Sequence, residues 1–426
     1  MRRTEFFADV IPAPMLKKLN LIIFKNDLIV RYFRFLCLCI GFILFACKQN
    51  ETKIGTSVKL INNEPINIEL SDIVDNIAYV KLETRDECML GNISHAKYDD
   101  GYYFVQDEYG IYSFDENGNF ISQIGRKGRA SNEYINITTF FLDRYNNRVG
   151  IVCNATNKLM YFDYEGCFIE AIMLDPDKSN IKSAQCINIQ GDILVSYPMK
   201  NIYFGDNEML YCLFKYINGR YEYKPLMSNP DVSTGQVQFT HLRYPILNHN
   251  DKTYAIGIFS HDVYELKEEK LVQAYTIDYV RPILNINELI ITYKQVDPFE
   301  LYEKMKKTDC SLGITAMFGN GNYMIYGINQ HTLFFDGQRC VLINEVYDKN
   351  YELYIMGLAQ CGGISDENVG HYTAETMLNN LKYGRISNEN LCEMVKGLDI
   401  DDNPIVYRYS LKDNIVDYLI EKYNIQ

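Results

Sequence analysis

The chain has 426 residues, 47% of them hydrophobic, and a formal charge of −13. That length can bury a large core and allows either several domains or one repeat array; the acidic balance argues against nucleic acid as a partner, because backbone binding needs a clustered basic face that the sequence lacks. Tryptophan is absent while 35 Tyr and 22 Phe are present, which points to an all-β protein whose Tyr rings are half-buried on pleated surfaces with their hydroxyls in water.

The first 46 residues do not read as a globular start. Arg31 and Arg34 precede Phe35 to Ala46, twelve uncharged apolar residues, a run too short to span a bilayer and suited to a signal-peptide core. Cys47 follows Leu44-Phe45-Ala46 at once. The arrangement looks like a bacterial lipoprotein signal, in which the cysteine sulfur accepts a diacylglyceryl group. Residues 1–46 are therefore expected to be a signal peptide, Cys47 the lipidated residue, residues 47–63 a polar tether, and residues 64–426 the folded domain. Without residues 1–46 the charge becomes −17.

Strand patterns begin at Val58. Ile66 to Leu70 alternates, and Ile77 to Leu82 reads as a strand with no local partner. Residues 92–124 then form two hairpins, the second built from Ile111 to Asp115 and Asn119 to Ile124, with Asn117-Gly118 supplying the positive φ of a tight turn. One hairpin buries too little to stand alone. A copy lies 48 residues on, where Phe162-Asp163-Tyr164-Glu165-Gly166-Cys167-Phe168 echoes Phe114-Asp115-Glu116-Asn117-Gly118-Asn119-Phe120.

Later hairpin strands end at Tyr216, Leu266, Phe335 and Tyr409, so the spacings from Phe114 onward are 48, 54, 50, 69 and 74. Four strands per repeat of roughly 45 residues is the pattern of a propeller blade. The two longest spacings hold helix signals: Asp297-Pro298-Phe299-Glu300 before Leu301 to Lys307, then Thr373 to Tyr383 and Ser387 to Lys396, which end near Gly384 and Gly397. The expectation is an all-β, six-bladed β-propeller of four-stranded antiparallel blades, with short helical insertions in the last two. Pro404 to Leu411 lacks a following partner, and the orphan strand near Tyr79 can close the ring beside it, removing an open edge.

These residues resemble the six-bladed β-propeller lipoproteins of Bacteroidetes, themselves similar to NHL-repeat propellers. The carriers are Leu70-Ser71-Asp72-Ile73-Val74, Ile77 to Thr84, the Phe114 to Phe120 hairpin, and Ile124-Gly125-Arg126-Lys127-Gly128 leading to Glu133-Tyr134. Members usually carry Gly-Pro-Gly ahead of the Glu and aromatic, where this chain has Ala130-Ser131-Asn132. The resemblance implies a shape and an outer-membrane address, and no shared catalysis.

Candidate sites are sparse. Gly125 to Arg129 could cradle an anion, but no Gly-Lys-Ser/Thr follows, so Gly125, Gly128, Glu133 and Tyr134 read as a structural interblade loop. Nine cysteines follow Cys47 without a CxxC pair, and the six histidines show no HExxH spacing. His241 and His249 flank a strand-like run; His261 and Asp262 are adjacent and would point to opposite faces of a strand. No catalytic, metal or cofactor residue is assigned. The expected function is an envelope-anchored binding or scaffolding lipoprotein whose partners are the membrane, through its lipid, and a protein or glycan. The alternative is an exported hydrolase or lyase with its site at the channel mouth.

Overall fold

Asp115 and Asp163 close their hairpins in the same way. The Asp115 carboxylate accepts from the N–H groups of Asn117 (2.9 Å) and Asn119 (2.8 Å), and that of Asp163 from Glu165 (3.1 Å) and Cys167 (2.7 Å). Only Gly118 and Gly166 take the left-handed conformation, at φ +84° and +86°. Each turn is thus one residue longer than the tight Asn-Gly turn expected, and a bulge follows that sets Phe114 opposite Phe120 and Phe162 opposite Phe168.

In the computed structural model the described residues are 56–197, 203–204, 207–228, 242, 244–284, 309–328, 331–348, 353–355, 368–386 and 388–425, all within the unit Gly55–Gln426. Four elements precede the first blade: β1 (Thr56–Lys59), β2 (Ile66–Glu69), the short helix α1 (Leu70–Ile73), and β3 (Val74–Lys81). Blade 1 is β4 (His95–Asp99), β5 (Tyr102–Gln106), β6 (Ile111–Asp115) and β7 (Phe120–Gln123). The parallel pair β8 (Arg126–Lys127) and β9 (Glu133–Tyr134) leads to blade 2, made of β10 (Thr139–Asp143), β11 (Arg148–Cys153), β12 (Lys158–Asp163) and β13 (Phe168–Met173).

Blade 3 is β14 (Ser183–Cys186), β15 (Ile193–Ser196), β17 (Asn207–Ile217) and β18 (Arg220–Ser228), with β16 (Tyr203–Phe204) paired beside β17. Blade 4 is β19 (Ile246–His249), β20 (Lys252–Ile256), β21 (Asp262–Lys267) and β22 (Lys270–Asp278). Blade 5 is β23 (Ile314–Asn320), β24 (Tyr323–Ile328), β25 (His331–Phe335) and β26 (Cys340–Asp348), extended by β27 (Leu353–Ile355). The sixth sheet runs β28 (Asn368–Tyr372), β29 (Ile405–Leu411), β3, three strands among the described residues. First strands of neighbouring blades meet around an axis, β10 with β14, β14 with β19, β19 with β23, and β28 with β4. The fold is a six-bladed β-propeller.

The core is a series of wedges between blades. On β12, Leu159 and Tyr161 face the blade 2–3 wedge while Met160 and Phe162 face the blade 1–2 wedge, because strand side chains alternate and both faces of a blade are covered. This corrects the expectation for Tyr. Tyr103, Tyr134, Tyr161, Tyr197, Tyr211, Tyr326 and Tyr409 are fully buried, and several hydroxyls bond inside the protein: Tyr161 with Tyr221 at 2.7 Å, Tyr275 with Tyr326, and Tyr211 with the Ile256 carbonyl at 2.8 Å. With sheets packed on both faces, a ring entering a wedge carries its hydroxyl with it.

Both chain ends close the ring. β29 pairs antiparallel with β3, setting Tyr407 opposite Tyr79 and Val406 opposite Val80. The hairpin tip of blade 1 rests on the end of β3: a Cβ at Gly118 would stand 2.2 Å from the Lys81 carbonyl oxygen. Part of the stretch expected as a tether also carries structure. β1 adds parallel to β22 on blade 4, Leu60 bridges to Cys340, and β2 adds parallel to β26 on blade 5. Val58 is buried there, and Asn62 exchanges bonds with the Leu342 backbone at 2.8 Å in both directions.

After β28, α2 (Ala374–Lys382) is capped by Thr373 (3.2 Å to the Thr376 N–H), and α3 (Glu389–Lys396) by Asn388 (2.9 Å to the Leu391 N–H), one residue beyond the start expected at Ser387. The helix expected over Asp297 to Lys307 lies outside the described residues. The last element, α4 (Ile415–Tyr423), clasps α1. Asp72, almost fully buried, accepts from Lys422 (2.5 Å), Tyr423 (2.7 Å), Tyr418 (3.3 Å) and the Glu69 N–H (3.3 Å).

Burial pushes the Asp72 carboxyl up, but the bonds from Lys422, Tyr423 and Glu69 outweigh it and hold the group below its ordinary value of 3.8. A carboxyl depressed in the folded state contributes stability that is complete above its unfolded value and is lost as pH falls through the folded one. The clasp is therefore expected to weaken only below about pH 3.8. Acid unfolding followed by circular dichroism checks it: Asp72→Asn should melt lower than the parent at neutral pH, with the gap narrowing below pH 4. A gap that stays constant from pH 7 to about pH 2.5 contradicts the assignment.

Candidate functional site at the channel mouth

The first strands of five blades meet at one end of the axis, and four of them bring polar side chains there. Lys97 of β4, Arg144 after β10, Gln185 of β14, Asn248 and His249 of β19, and Phe318 of β23 line an open cavity of about 620 Å³. The β19–β20 turn, Asn250-Asp251, stands at the same mouth with both residues in the left-handed conformation, which Asn and Asp adopt more readily than other side chains. A second space of about 30 Å³ lies further along, and Lys97 and Gln185 line both. They form the neck of the channel.

The mouth is held by bonds between blades. The Asn248 amide donates to the Cys186 carbonyl on blade 3 (2.7 Å) and accepts from Thr253 (2.9 Å). Asn250 meets His249 Nε2 at 3.2 Å, and Gly319 leaves room for that imidazole, since a Cβ there would stand 2.5 Å from His249 Nδ1. Arg144 pairs with Asp99 at 3.2 Å, and Asp99 also accepts from the Tyr164 hydroxyl. Lys97 donates to the Phe140 carbonyl at 2.9 Å and lies 4.5 Å from the centre of the Phe140 ring. Burial, and then the Arg144 cation, pull the Lys97 amine down to about 7. Burial likewise holds His95, on the same strand face, at about 4.

The residues singled out from sequence sit elsewhere. Gly125 has φ +69°, and a Cβ there would be 2.9 Å from the Phe162 ring and 3.0 Å from the Tyr134 ring. A Cβ on Gly128 would meet the Glu133 carboxylate at 1.9 Å, and that carboxylate accepts from the Ala130 N–H at 2.9 Å. The Gly128 N–H donates to the Tyr134 carbonyl at 3.0 Å, and Tyr134 is fully buried. These four residues thus meet in the turn between blades 1 and 2, away from the cavity lining. Cys47 and His241 lie outside the described residues.

His261 meets Ser311 at 2.9 Å, whereas Asp262 accepts from Ser260 (2.8 Å) and Gln273 (2.8 Å), so the neighbours do not work as a pair. Among the described residues no group of three or more His, Cys, Asp or Glu is placed to hold a metal ion. Sequence reasoning passed over Lys97. Its only signal was a lysine inside the alternating run His95-Ala96-Lys97-Tyr98, which equally describes a solvated strand face.

The profile of the family described as Domain of unknown function (DUF4934) matches residues 54–410. The chain belongs to the DUF4934 family. Its propeller is similar to the solved structure of a candidate exported protein of Bacteroides fragilis NCTC 9343, with TM-score 0.65 and 17% identity over 84% of this chain and 100% of that one. It is also similar to a member of the DUF4221 family from Bacteroides vulgatus, with TM-score 0.47 and 10% identity over 80% of this chain and 97% of that one. Among curated proteins nothing matches. The match to the DUF4934 profile includes Lys97, Gln185, Asn248 and His249. Among the described residues of this DUF4934 chain no helix is long and apolar enough to cross a membrane.

Proposed function

We propose that this DUF4934 protein is an envelope-anchored lipoprotein, held by lipid on Cys47 at the outer membrane, whose propeller binds a protein or glycan group at the channel mouth. The observation that carries the binding reading is the open cavity of about 620 Å³, which five blades line and to which four of them contribute polar side chains. A volume of this kind suits a small ligand or a protruding group of a larger one. The Bacteroides fragilis neighbour described as a candidate exported protein agrees with an envelope address. The alternative, a hydrolase or lyase at the same mouth, draws on one observation, the buried Lys97 amine that lines both spaces, since burial lowers an amine's pKa toward the range useful for proton transfer.

Two experiments test the proposal. Cys47→Ser is expected to abolish lipid labelling and detergent partitioning, because each buried lipid CH₂ contributes about 0.8 kcal/mol and a chain without acyl groups has no such anchor. A labelled mutant would refute the anchor. Co-purification from the native envelope is expected to recover a partner with the parent and to lose it with the variant Tyr145→Ala, Asn250→Ala, which alters two residues lining the cavity. A partner retained by that variant would refute binding at the mouth, and turnover without a retained partner would favour the enzyme.

A further inference from the structure

Lys97 poses a charge problem that the fold leaves open. Only 5% of its surface is exposed, and its Nζ has the Phe140 carbonyl and the Phe140 ring as partners, with no carboxylate among the described residues. An ammonium carries three donors, and a buried charge is costly unless it is paired. The nearby carboxylate of Asp99 is taken by Arg144 and Tyr164. Gln185, across the neck, makes no side-chain hydrogen bond among the described residues. A cation with donors to spare and an amide with two more therefore face one narrow space that opens into the larger cavity.

The geometry points to an oxyanion subsite at this neck, where the carboxylate or phosphate of a small, ring-bearing ligand such as an acidic sugar docks against Lys97 Nζ and the Gln185 amide. This rests on the binding reading above and gives it a ligand class. A neutral hydroxyl would satisfy a donor but leave the charge unpaired, whereas an oxyanion does both, and charge-assisted bonds are about twice as strong as neutral ones. The inner space of about 30 Å³ has room for roughly two waters, enough for the oxygens of an oxyanion and too little for a sugar ring. The ligand body must therefore lie outward, in the cavity of about 620 Å³, beside the ring of Tyr145 and the amides of Asn248 and Asn250.

Calorimetric titration of the full chain at pH 6, where the Lys97 amine is charged, with glucuronate, glucose and inorganic phosphate tests the subsite, on the parent, Lys97→Met and Lys97→Gln. Glucuronate or phosphate is expected to bind the parent, glucose at least about tenfold more weakly, since one charge-assisted bond exceeds the 1.4 kcal/mol that a tenfold difference requires. Both variants are expected to lose the anion. Lys97→Met should melt at or above the parent temperature, because an unpaired buried charge is replaced by an apolar chain of similar length; should it fail to fold, Lys97→Gln carries the test. Glucuronate without phosphate assigns a carboxylate, and phosphate without glucuronate assigns a phosphate.

Equal affinity for glucose and glucuronate, anion binding that survives both variants, or no binding of either anion would overturn the subsite. If Lys97→Met keeps the envelope partner that the Tyr145 and Asn250 variant loses, the subsite fails while binding at the mouth stands.

Discussion

A chain ending at Asn403 is expected to have no stable monomeric fold. Truncation there removes β29, which sits between β28 and β3 and gives both of them their partner. It also removes Ile405, Val406, Tyr407 and Tyr409, buried in three different packing clusters, and Ile415, Val416 and Leu419 of α4. Fully burying an apolar side chain contributes about 1.5–3 kcal/mol, so seven of them are worth roughly 10–20 kcal/mol, against a total stability of about 5–15 kcal/mol for a typical domain. The loss cannot remain local. β3 and the inner strand β28 become open edges, and such edges recruit other chains. Size-exclusion chromatography and a thermal melt check this: aggregated or molten material is expected, and a truncated monomer that melts like the parent would refute closure by the two chain ends.

The parts of the fold legible in the sequence are those in which one local device repeats. Asp115 to Gly118 and Asp163 to Gly166 place the same carboxylate-braced turn at the same point of blades 1 and 2, and a period built from such turns survives drift in every other residue. The unpaired strand near Tyr79 was legible for a related reason, since a strand with no neighbour in sequence must find one far away. The N-terminal strap was not. β1 and β2 are four residues each and lie parallel on strands more than two hundred residues later, so their pairing leaves no turn to read. The turn itself is longer than its sequence implies, because Asn-Gly fits a two-residue hairpin equally well and only the register of Phe114 opposite Phe120 sets the length.

The candidate site was less legible still. A propeller channel is lined by one or two residues from each first strand, separated by a whole repeat, so Lys97, Gln185, Asn248 and Phe318 share no spacing. The loop of Gly125, Gly128, Glu133 and Tyr134 stood out instead because its residues are consecutive and glycine-marked, although its bonds are made within the turn. Local constellations advertise turn geometry; sites assembled across blades become visible only when the ring closes.

Asn403 is the single side chain on which that closure is expected to depend most. It is 1% exposed and stands just before β29, against the segment that carries β3 into blade 1. Its Oδ1 accepts from the Leu90 N–H at 2.8 Å, its Nδ2 donates to the carbonyls of Glu83 (2.6 Å) and Cys88 (2.7 Å), and its own N–H donates to Thr84 Oγ1 at 2.9 Å. Asn403→Leu takes the partner from the Leu90 N–H and the Cys88 carbonyl and leaves the Glu83 carbonyl only the Cys88 thiol at 3.2 Å; two unsatisfied groups at about 1–3 kcal/mol each give an expected loss of at least about 2 kcal/mol, in the upper part of the usual range for a point substitution. Volume is not the cause, and Asn403→Asp separates the two. The shape is kept, but the two donors become an acceptor facing the Glu83 and Cys88 carbonyls, and a buried carboxylate has no cation among these partners. Thermal melts at neutral pH are expected to place Asn403→Asp no higher than Asn403→Leu. If the aspartate variant instead melts within about 1 °C of the parent, a shift worth roughly 0.8 kcal/mol for a domain of this length, hydrogen bonding by Asn403 is not what locks blade 6 to blade 1.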